Sequence, residues 1–130
     1  MSISQIMKQD ATGQQLVDFA KETGRQLYRE DLKNTQIRNI FTEARRVEAE
    51  WNTSPDRAMR RLNGLKPKLA YQVKRHERVR GVRTLAQILT EAITEVQNTS
   101  AGEPRAQAFA RFMELFESIL AYHYAGDSTQ

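Results

Sequence analysis

The sequence contains no cysteine and only two histidines, His76 and His123, in 130 residues. The absence of cysteine excludes disulfide bonds and cysteine-ligated zinc sites, and it fits a reducing compartment. No run of apolar residues approaches the roughly 20 that a membrane-spanning helix needs, and the amino terminus has no apolar leader segment. We therefore expect a soluble, unprocessed, cytoplasmic protein without a metal, a cofactor or a membrane partner.

Proline and glycine are scarce, with three and six residues, and an alternating pattern of apolar and polar residues is missing. Strands are therefore not expected, and most glycines and prolines separate segments with helical apolar spacing. A chain of this length fits one domain, residues 1–130, and buries about two thirds of its unfolded surface. We predict an all-α fold, a compact bundle of about five or six helices.

The first two predicted helices differ in how clearly the sequence marks them. A short apolar face at 16–20 precedes Gly24, which has the residue type of a C′ cap. The second helix begins at Asn34 or Thr35, and its apolar residues recur at helical spacing through 37–51. The second pattern is the stronger of the two, and it predicts a helix with one buried face.

The sequence carries a start signal and a stop signal for the third helix. Ser54 and Pro55 have the residue types of an N-cap and of a first helical position. Asn63 and Gly64 predict a left-handed stop. The residue before a proline is biased away from helical angles, so a new helical segment is expected to begin at Pro67.

The carboxyl-terminal half predicts two long helices. Gly81 marks a break, and a regular apolar stripe follows over 82–96. Residues 98–104 form a loop whose closing proline opens the last helix, which ends near Tyr124. The tail after Gly126 is expected to fray.

The last helix has an apolar stripe wider than one packing face requires. Two explanations are equally consistent with it: a central helix buried on two sides, or a stripe of which part contacts another protein chain. The stripe consists of Phe109, Phe112, Met113, Leu115, Phe116, Ile119, Leu120 and Tyr122.

Acidic residues are almost missing from residues 57–83, which hold ten of the chain's 20 Lys and Arg residues and one acid, Glu77. This segment carries a net charge of +9, whereas the whole chain carries +4. The basic character is therefore local. Clustered Lys and Arg residues supply phosphate contacts and release counterions, so the segment indicates a polyanionic partner.

On a helical wheel, the cations of this segment lie opposite its apolar residues Leu69, Ala70 and Val73. An ordinary solvated helix face intersperses acids with bases, and this face does not. Tyr71 lies within the basic arc, where its ring can stack on an unpaired base. An equally consistent interpretation is a rim residue that covers the core with its hydroxyl group in water.

Catalytic constellations are missing from the sequence. Ser118 and His123 are five residues apart and do not share a helix face. Carboxylates such as Glu43 and Glu50 lack the compact spacing of a divalent-metal site, and no glycine-rich phosphate loop is present. We expect a protein that is not an enzyme and has no catalytic residue, metal site or small-molecule substrate.

Three segments together resemble a known family: TQIRNIFTEARRVE at 35–48, LKPKLAYQVKR at 65–75 and FARFMELFESILAYH at 109–123. In order and spacing they are similar to the small helical subunit of type III-A CRISPR effector complexes, the Csm complexes. The resemblance spans about 33–124 and does not include residues 1–32.

The resemblance implies a non-catalytic helical bundle, present in several copies that stack as a minor filament. Its implied partners are the CRISPR (guide) RNA, the target RNA, other copies of itself, and the backbone and large polymerase-like subunits. The candidate RNA-binding residues within the matching segments are Arg38, Lys66, Lys68, Tyr71 and Arg75. The helical wheel adds Arg57, Arg60, Arg61, Lys74 and Arg78.

Two alternatives from other functional classes stay open at this point. One is a free-standing helical DNA-binding or adaptor protein. A helix that reads base edges needs exposed Asn, Gln, Arg and Ser residues, and this face is nearly all cationic, which favours backbone contact. The other is an assembly protein whose basic face meets an acidic partner.

Overall fold

The computed structural model describes residues 2–126, which form six α-helices and no strand. The helices are α1 (Ile3–Gln9), α2 (Gln14–Arg29), α3 (Asn34–Trp51), α4 (Pro55–Arg75), α5 (Arg80–Gln97) and α6 (Glu103–Tyr124). The prediction of an all-α bundle of five or six helices is confirmed. The predicted fraying after Gly126 concerns 127–130, which lie outside the described residues.

The short α1 has no counterpart among the predicted helices. The Ser2 hydroxyl oxygen accepts from the Gln5 backbone N–H at 3.1 Å, and the Gln5 side chain accepts from the Ser2 N–H at 3.1 Å. This capping box starts a helix whose Ile3 and Ile6 are buried. The buried Asp10 carboxylate then accepts from the Leu16 N–H at 2.7 Å, so it caps the next helix.

Helix α6 is the centre of the bundle and packs against α1, α2, α3 and α5. Its Phe112, Leu115, Phe116 and Ile119 are fully buried. Burial on several sides within the chain explains why the apolar stripe is so wide. The alternative, in which these side chains contact another protein chain, is therefore wrong for the core of the stripe.

Gly24 lies inside α2 and does not cap a helix. A Cβ atom at this position would lie 2.6 Å from Cβ of Tyr122 and 2.7 Å from the backbone nitrogen of His123. The glycine therefore allows the backbones of α2 and α6 to approach closely, and the predicted helix end at Gly24 is wrong. After α2, Asp31 adopts a left-handed φ of 67°.

Helix α4 is continuous, so the predicted stop at Asn63-Gly64 and the predicted new start at Pro67 are both wrong. An internal proline costs about 3 kcal/mol, because it removes one helical hydrogen bond and its ring crowds the preceding turn. The apolar face nevertheless stays in phase across Pro67, and its burial against α3 and α5 offsets that cost. The buried residues of this face are Ala58, Met59, Leu62, Leu65 and Leu69.

The last two helices begin one or two residues before the predicted positions. Helix α6 begins at Glu103, one residue before its proline. Gly81 lies in the first turn of α5, and its N–H donates to the Glu30 carbonyl oxygen at 3.2 Å. A Cβ there would lie 2.7 Å from Cβ of Leu32, so this glycine allows the chain segment after α2 to pack on α5.

Helix α4 lies at the outside of the bundle, because its main contacts are with α3 and α5. One face is buried by those neighbours and the opposite face is open to solvent. Ala70 belongs to the open side, whereas Leu69 is buried and Val73 packs against the core. The fold therefore presents the basic residues of α4 outward.

Candidate nucleic-acid interface

The predicted basic arc of α4 is exposed along the length of the helix. A helix of 21 residues is about 31 Å long, so these side chains are spread over a considerable distance. Lys66 is half-buried. The exposed members of the predicted set in and just after α4 are Arg57, Arg60, Arg61, Lys68, Tyr71, Lys74, Arg75 and Arg78.

Two of these cations are paired with carboxylates of the neighbouring helix α3. Nε of Arg61 lies 2.9 Å from Glu50 Oε1, and Nζ of Lys68 lies 3.0 Å from Glu43 Oε1. The nearly acid-free sequence of 57–83 did not predict these pairs, because the acids come from another helix. The face is therefore less strongly positive in the structure than the +9 of that segment indicates.

Glu43 is the centre of this neutralising contact. The hydrogen bond from Lys68 is the main cause that holds the pKa of Glu43 below its ordinary value. Partial burial acts in the opposite direction, and the charges of Lys68, Arg46 and Arg61 lower the pKa further. Glu43 is therefore ionised at neutral pH and links α3 to α4.

Other cations of the face have no partner. Within residues 2–126, no side-chain hydrogen bond or ion pair is formed by Arg57, Arg60, Lys66, Arg75 and Arg78. Nζ of Lys74 approaches Glu77 at only 3.4 Å, and its side chain is 83% exposed. These groups keep their hydration and their charge, so they are available to an anionic ligand.

Arg80 and Arg83 extend the unpaired surface beyond the predicted site residues. Both are exposed in the first turn of α5 and form no ion pair among the described residues. Cations at a helix amino terminus are unfavourable for the helix dipole, so local helix stability does not explain them. The sequence signal that could have placed them in the site is their position in the acid-poor segment 57–83.

Arg38 lies apart from this surface. Its guanidinium carbon lies 5.8 Å from the ring centroid of Tyr124 on α6. Around α3 it is about 140° away from Glu43, which faces α4. The structure therefore does not bring Arg38 together with the α4 cations.

A groove of about 800 Å³ separates the first half of α3 from the second half of α4. Tyr71 is 61% exposed at this groove, and Lys68 and Arg75 line it as well. Its lining includes the side-chain amides of Gln36, Asn39 and Gln72. Sequence reasoning missed these amides, although Gln36 and Asn39 are spaced to share one face of α3.

The comparison with known protein families identifies the chain. The family model described as Csm2 Type III-A matches residues 10–128. The chain belongs to the Csm2 type III-A family. This family comprises structural small subunits of type III-A CRISPR complexes, so the resemblance over 33–124 is confirmed and extends toward the amino terminus. No curated protein and no solved structure matches the chain.

The described part of this Csm2 family member holds no cluster of three or more His, Asp or Glu side chains that is arranged to bind a metal ion. His123 is buried, and its Nε2 lies 2.6 Å from the Leu32 carbonyl oxygen, to which it donates. This contact ties α6 to the segment after α2. Across residues 2–126, no helix is long and apolar enough to cross a bilayer.

Proposed function

We propose that this chain is a non-catalytic small subunit of a cytoplasmic type III-A CRISPR interference complex that binds RNA backbones through α4. The observation that carries the proposal is the set of exposed cations, on and after this helix, that have no partner among residues 2–126. Phosphate contacts come mainly from Lys and Arg residues, and unpaired cations need not break an ion pair to form them. The ligands are the guide RNA and the target RNA paired with it.

The chemistry of the outward face favours backbone contact over base recognition. Apart from Tyr71, its long side chains are cationic, and cations bind phosphates without regard to sequence. In RNA-guided complexes the pairing between guide and target supplies the sequence specificity. A subunit of such a complex therefore needs only to hold the backbone.

Stacking of copies into a minor filament is a second part of the proposal, together with contacts to the backbone and large subunits. Head-to-tail contacts propagate when they do not close a ring. The large apolar side chains exposed within residues 2–126 are Val17, Tyr71 and Tyr124, and they lie on three different helices. Such a surface does not support a strong interface, so we expect a monomer or weak dimer in isolation.

The experiment is a measurement of RNA affinity for the isolated chain as a function of salt. Binding should be weak and independent of sequence, and each phosphate contact on a single strand should add about 0.7 to the slope of log K against log salt. Replacement of Lys68, Lys74 and Arg75 by alanine should flatten that slope. Binding that persists unchanged to about 0.5 M salt, or that discriminates strongly between unrelated sequences, contradicts backbone binding.

The proposed absence of catalysis has a separate test. The isolated chain should not cleave RNA or transfer nucleotides when Mg²⁺ or Mn²⁺ is present. Turnover that disappears when a carboxylate of this chain is replaced would overturn the proposal.

A further inference from the structure

We propose that the groove between α3 and α4 is a subsite for one unstacked RNA base, which stacks on the ring of Tyr71. The inference rests on the proposed RNA binding and adds a base contact to the phosphate contacts. It gives a role to a large aromatic side chain that is 61% exposed beside a groove of about 800 Å³. That volume lies within the range of small-ligand sites and exceeds what one base requires.

The surroundings of Tyr71 leave its ring accessible. Helical side chains lean toward the preceding turn. The long side chain of Lys68, three residues before Tyr71, is held by Glu43 at 3.0 Å, and the residues four and seven positions before Tyr71 are Pro67 and Gly64. Neither has a long side chain that could cover the ring. Around the position of a Cβ atom at Gly64 there is no other atom within 4 Å. Pro67 and Gly64 thus leave the amino-terminal side of the Tyr71 ring uncovered.

The cations beside Tyr71 are placed to hold the phosphates on either side of a stacked base. Lys68 and Arg75 are three residues before and four residues after Tyr71, so all three share one face of α4. Arg75 has no partner among the described residues, and Lys68 pairs with Glu43 at 3.0 Å. Aromatic and cationic groups in alternation are typical of surfaces that bind single strands.

Amide side chains from both helices of the groove offer hydrogen bonds to a base edge. The side chains of Asn39 and Gln72 form no hydrogen bond within residues 2–126, and Gln36 uses only its oxygen, which accepts from the Lys33 N–H at 2.9 Å. An amide carries both a donor and an acceptor and can rotate, so it can satisfy any of the four bases. The subsite therefore agrees with binding that is independent of sequence.

The test compares Tyr71→Ala with Tyr124→Ala, because Tyr124 is similarly exposed, at 66%, and lies outside the groove. The ligands are a single-stranded oligouridylate and an RNA duplex, each bound to the full chain. Tyr71→Ala should weaken single-strand binding about tenfold, as expected for the loss of one stacked base, without a change in salt slope. Duplex binding should stay unchanged, and Tyr71→Phe should retain single-strand binding.

The outcomes separate this inference from the proposed function. If Tyr71→Ala and Tyr124→Ala bind the oligouridylate equally well, or if Tyr71→Ala weakens duplex binding to the same extent, the subsite is overturned while salt-dependent backbone binding stands. If the unaltered chain binds neither RNA, the proposed function itself fails. Addition of the oligouridylate should change the NMR chemical shifts of the Asn39 and Gln72 side-chain amides. Such changes would support the site directly.

Discussion

At the residue scale, Glu43 and Glu50 decide how much of the positive charge on α4 is free. Their carboxylates hold Lys68 and Arg61 at 3.0 and 2.9 Å. A phosphate group that binds either cation must compete with a carboxylate of the same chain. In the proposed function, the acidic residues of α3 therefore limit the binding of RNA while they connect two helices.

Replacement of both carboxylates, Glu43→Gln with Glu50→Gln, should strengthen RNA binding. The double replacement frees Lys68 and Arg61 on α4, and it also frees Arg46 on α3, whose Nη1 lies 2.6 Å from Glu43 Oε2. The two α4 cations alone should raise the slope of log K against log salt by about 1.4 on a single strand. The control is Glu22→Gln with Glu114→Gln, which removes the same charge from exposed positions on α2 and α6 that form no ion pair among the described residues. Equal affinities of the two double variants, measured by filter binding, would show that net charge and not the ion pairs controls binding.

The lowered pKa of Glu43 predicts a dependence of stability on pH. Because the hydrogen bond from Lys68 lowers the pKa in the folded chain, Glu43 contributes stability above the ordinary glutamate pKa. That contribution is lost as pH falls through the lowered value. Its size should be below about 1 kcal/mol, since Lys68 is 62% exposed and water screens the pair.

Denaturant unfolding of the unaltered chain and of Glu43→Gln at several pH values measures this contribution. The difference in unfolding free energy should be constant near neutral pH and should vanish at acidic pH. A difference that grows as pH falls would contradict the assigned role of Glu43.

At the scale of the elements, the sequence predicted the helices that have an unbroken apolar stripe. Helices α3, α5 and α6 agree with their predicted ranges to within a few residues. The errors occurred at Gly24, Gly64 and Pro67, where local residue preferences indicate helix ends. Tertiary contacts override those preferences, because the close approach of α2 to α6 and the burial of α4 were not visible in local sequence.

The candidate site, like the fold, was predicted from the sequence only in part. The exposed cations of α4 followed from helical spacing and from the scarcity of acids in 57–83. Their pairing with Glu43 and Glu50 did not, since it depends on which helix packs beside α4. The groove and its amides could not be predicted either, because two helices form the groove together.

Gly64→Ala tests the continuity of α4. No atom lies within 4 Å of the new Cβ, and alanine favours a helix over glycine, so unfolding should cost about 0.5–1 kcal/mol more. Gly24→Ala is the contrasting variant: its Cβ would lie 2.6 Å from Tyr122 Cβ, and it should destabilise by about 1–3 kcal/mol. Destabilisation by Gly64→Ala, measured by chemical denaturation, would indicate that the helix ends there.

At the scale of the whole molecule, α6 lies at the centre of the core, and α4 lies at the outside with one face open to solvent. Phe112 and Phe116 are fully buried, and their rings lie 6.2 Å apart in an edge-on arrangement. Truncation of either ring removes apolar contacts that other helices share. The molecule thus separates the residues that fold it from the residues that we propose bind RNA.

Phe112→Ala and Phe116→Ala should each destabilise the chain by about 3–5 kcal/mol, which is a large share of the stability of a small domain. Thermal melts followed by circular dichroism measure this loss. A change below about 1 kcal/mol would mean that these rings are not in the core of the folded chain.

The central claim is that the unpaired cations of α4 bind RNA and do not support the fold. The variant Arg60→Glu with Arg75→Glu reverses two exposed charges on this helix. The matched control, Lys21→Glu with Arg29→Glu, reverses two exposed charges on α2, which packs on α6 and α5. Each pair includes one residue in the last turn of its helix, so the effects on the helix dipoles are alike.

Thermal melts and filter binding on these two variants and the unaltered chain form the most direct test. We expect the three proteins to melt within a few degrees of one another, because exposed unpaired charges contribute little to stability. The α4 variant should lose measurable RNA binding, while the α2 control should bind nearly as the unaltered chain does. Equal loss of RNA binding in both variants, or a melting temperature of the α4 variant as low as that of Phe112→Ala, would contradict the claim.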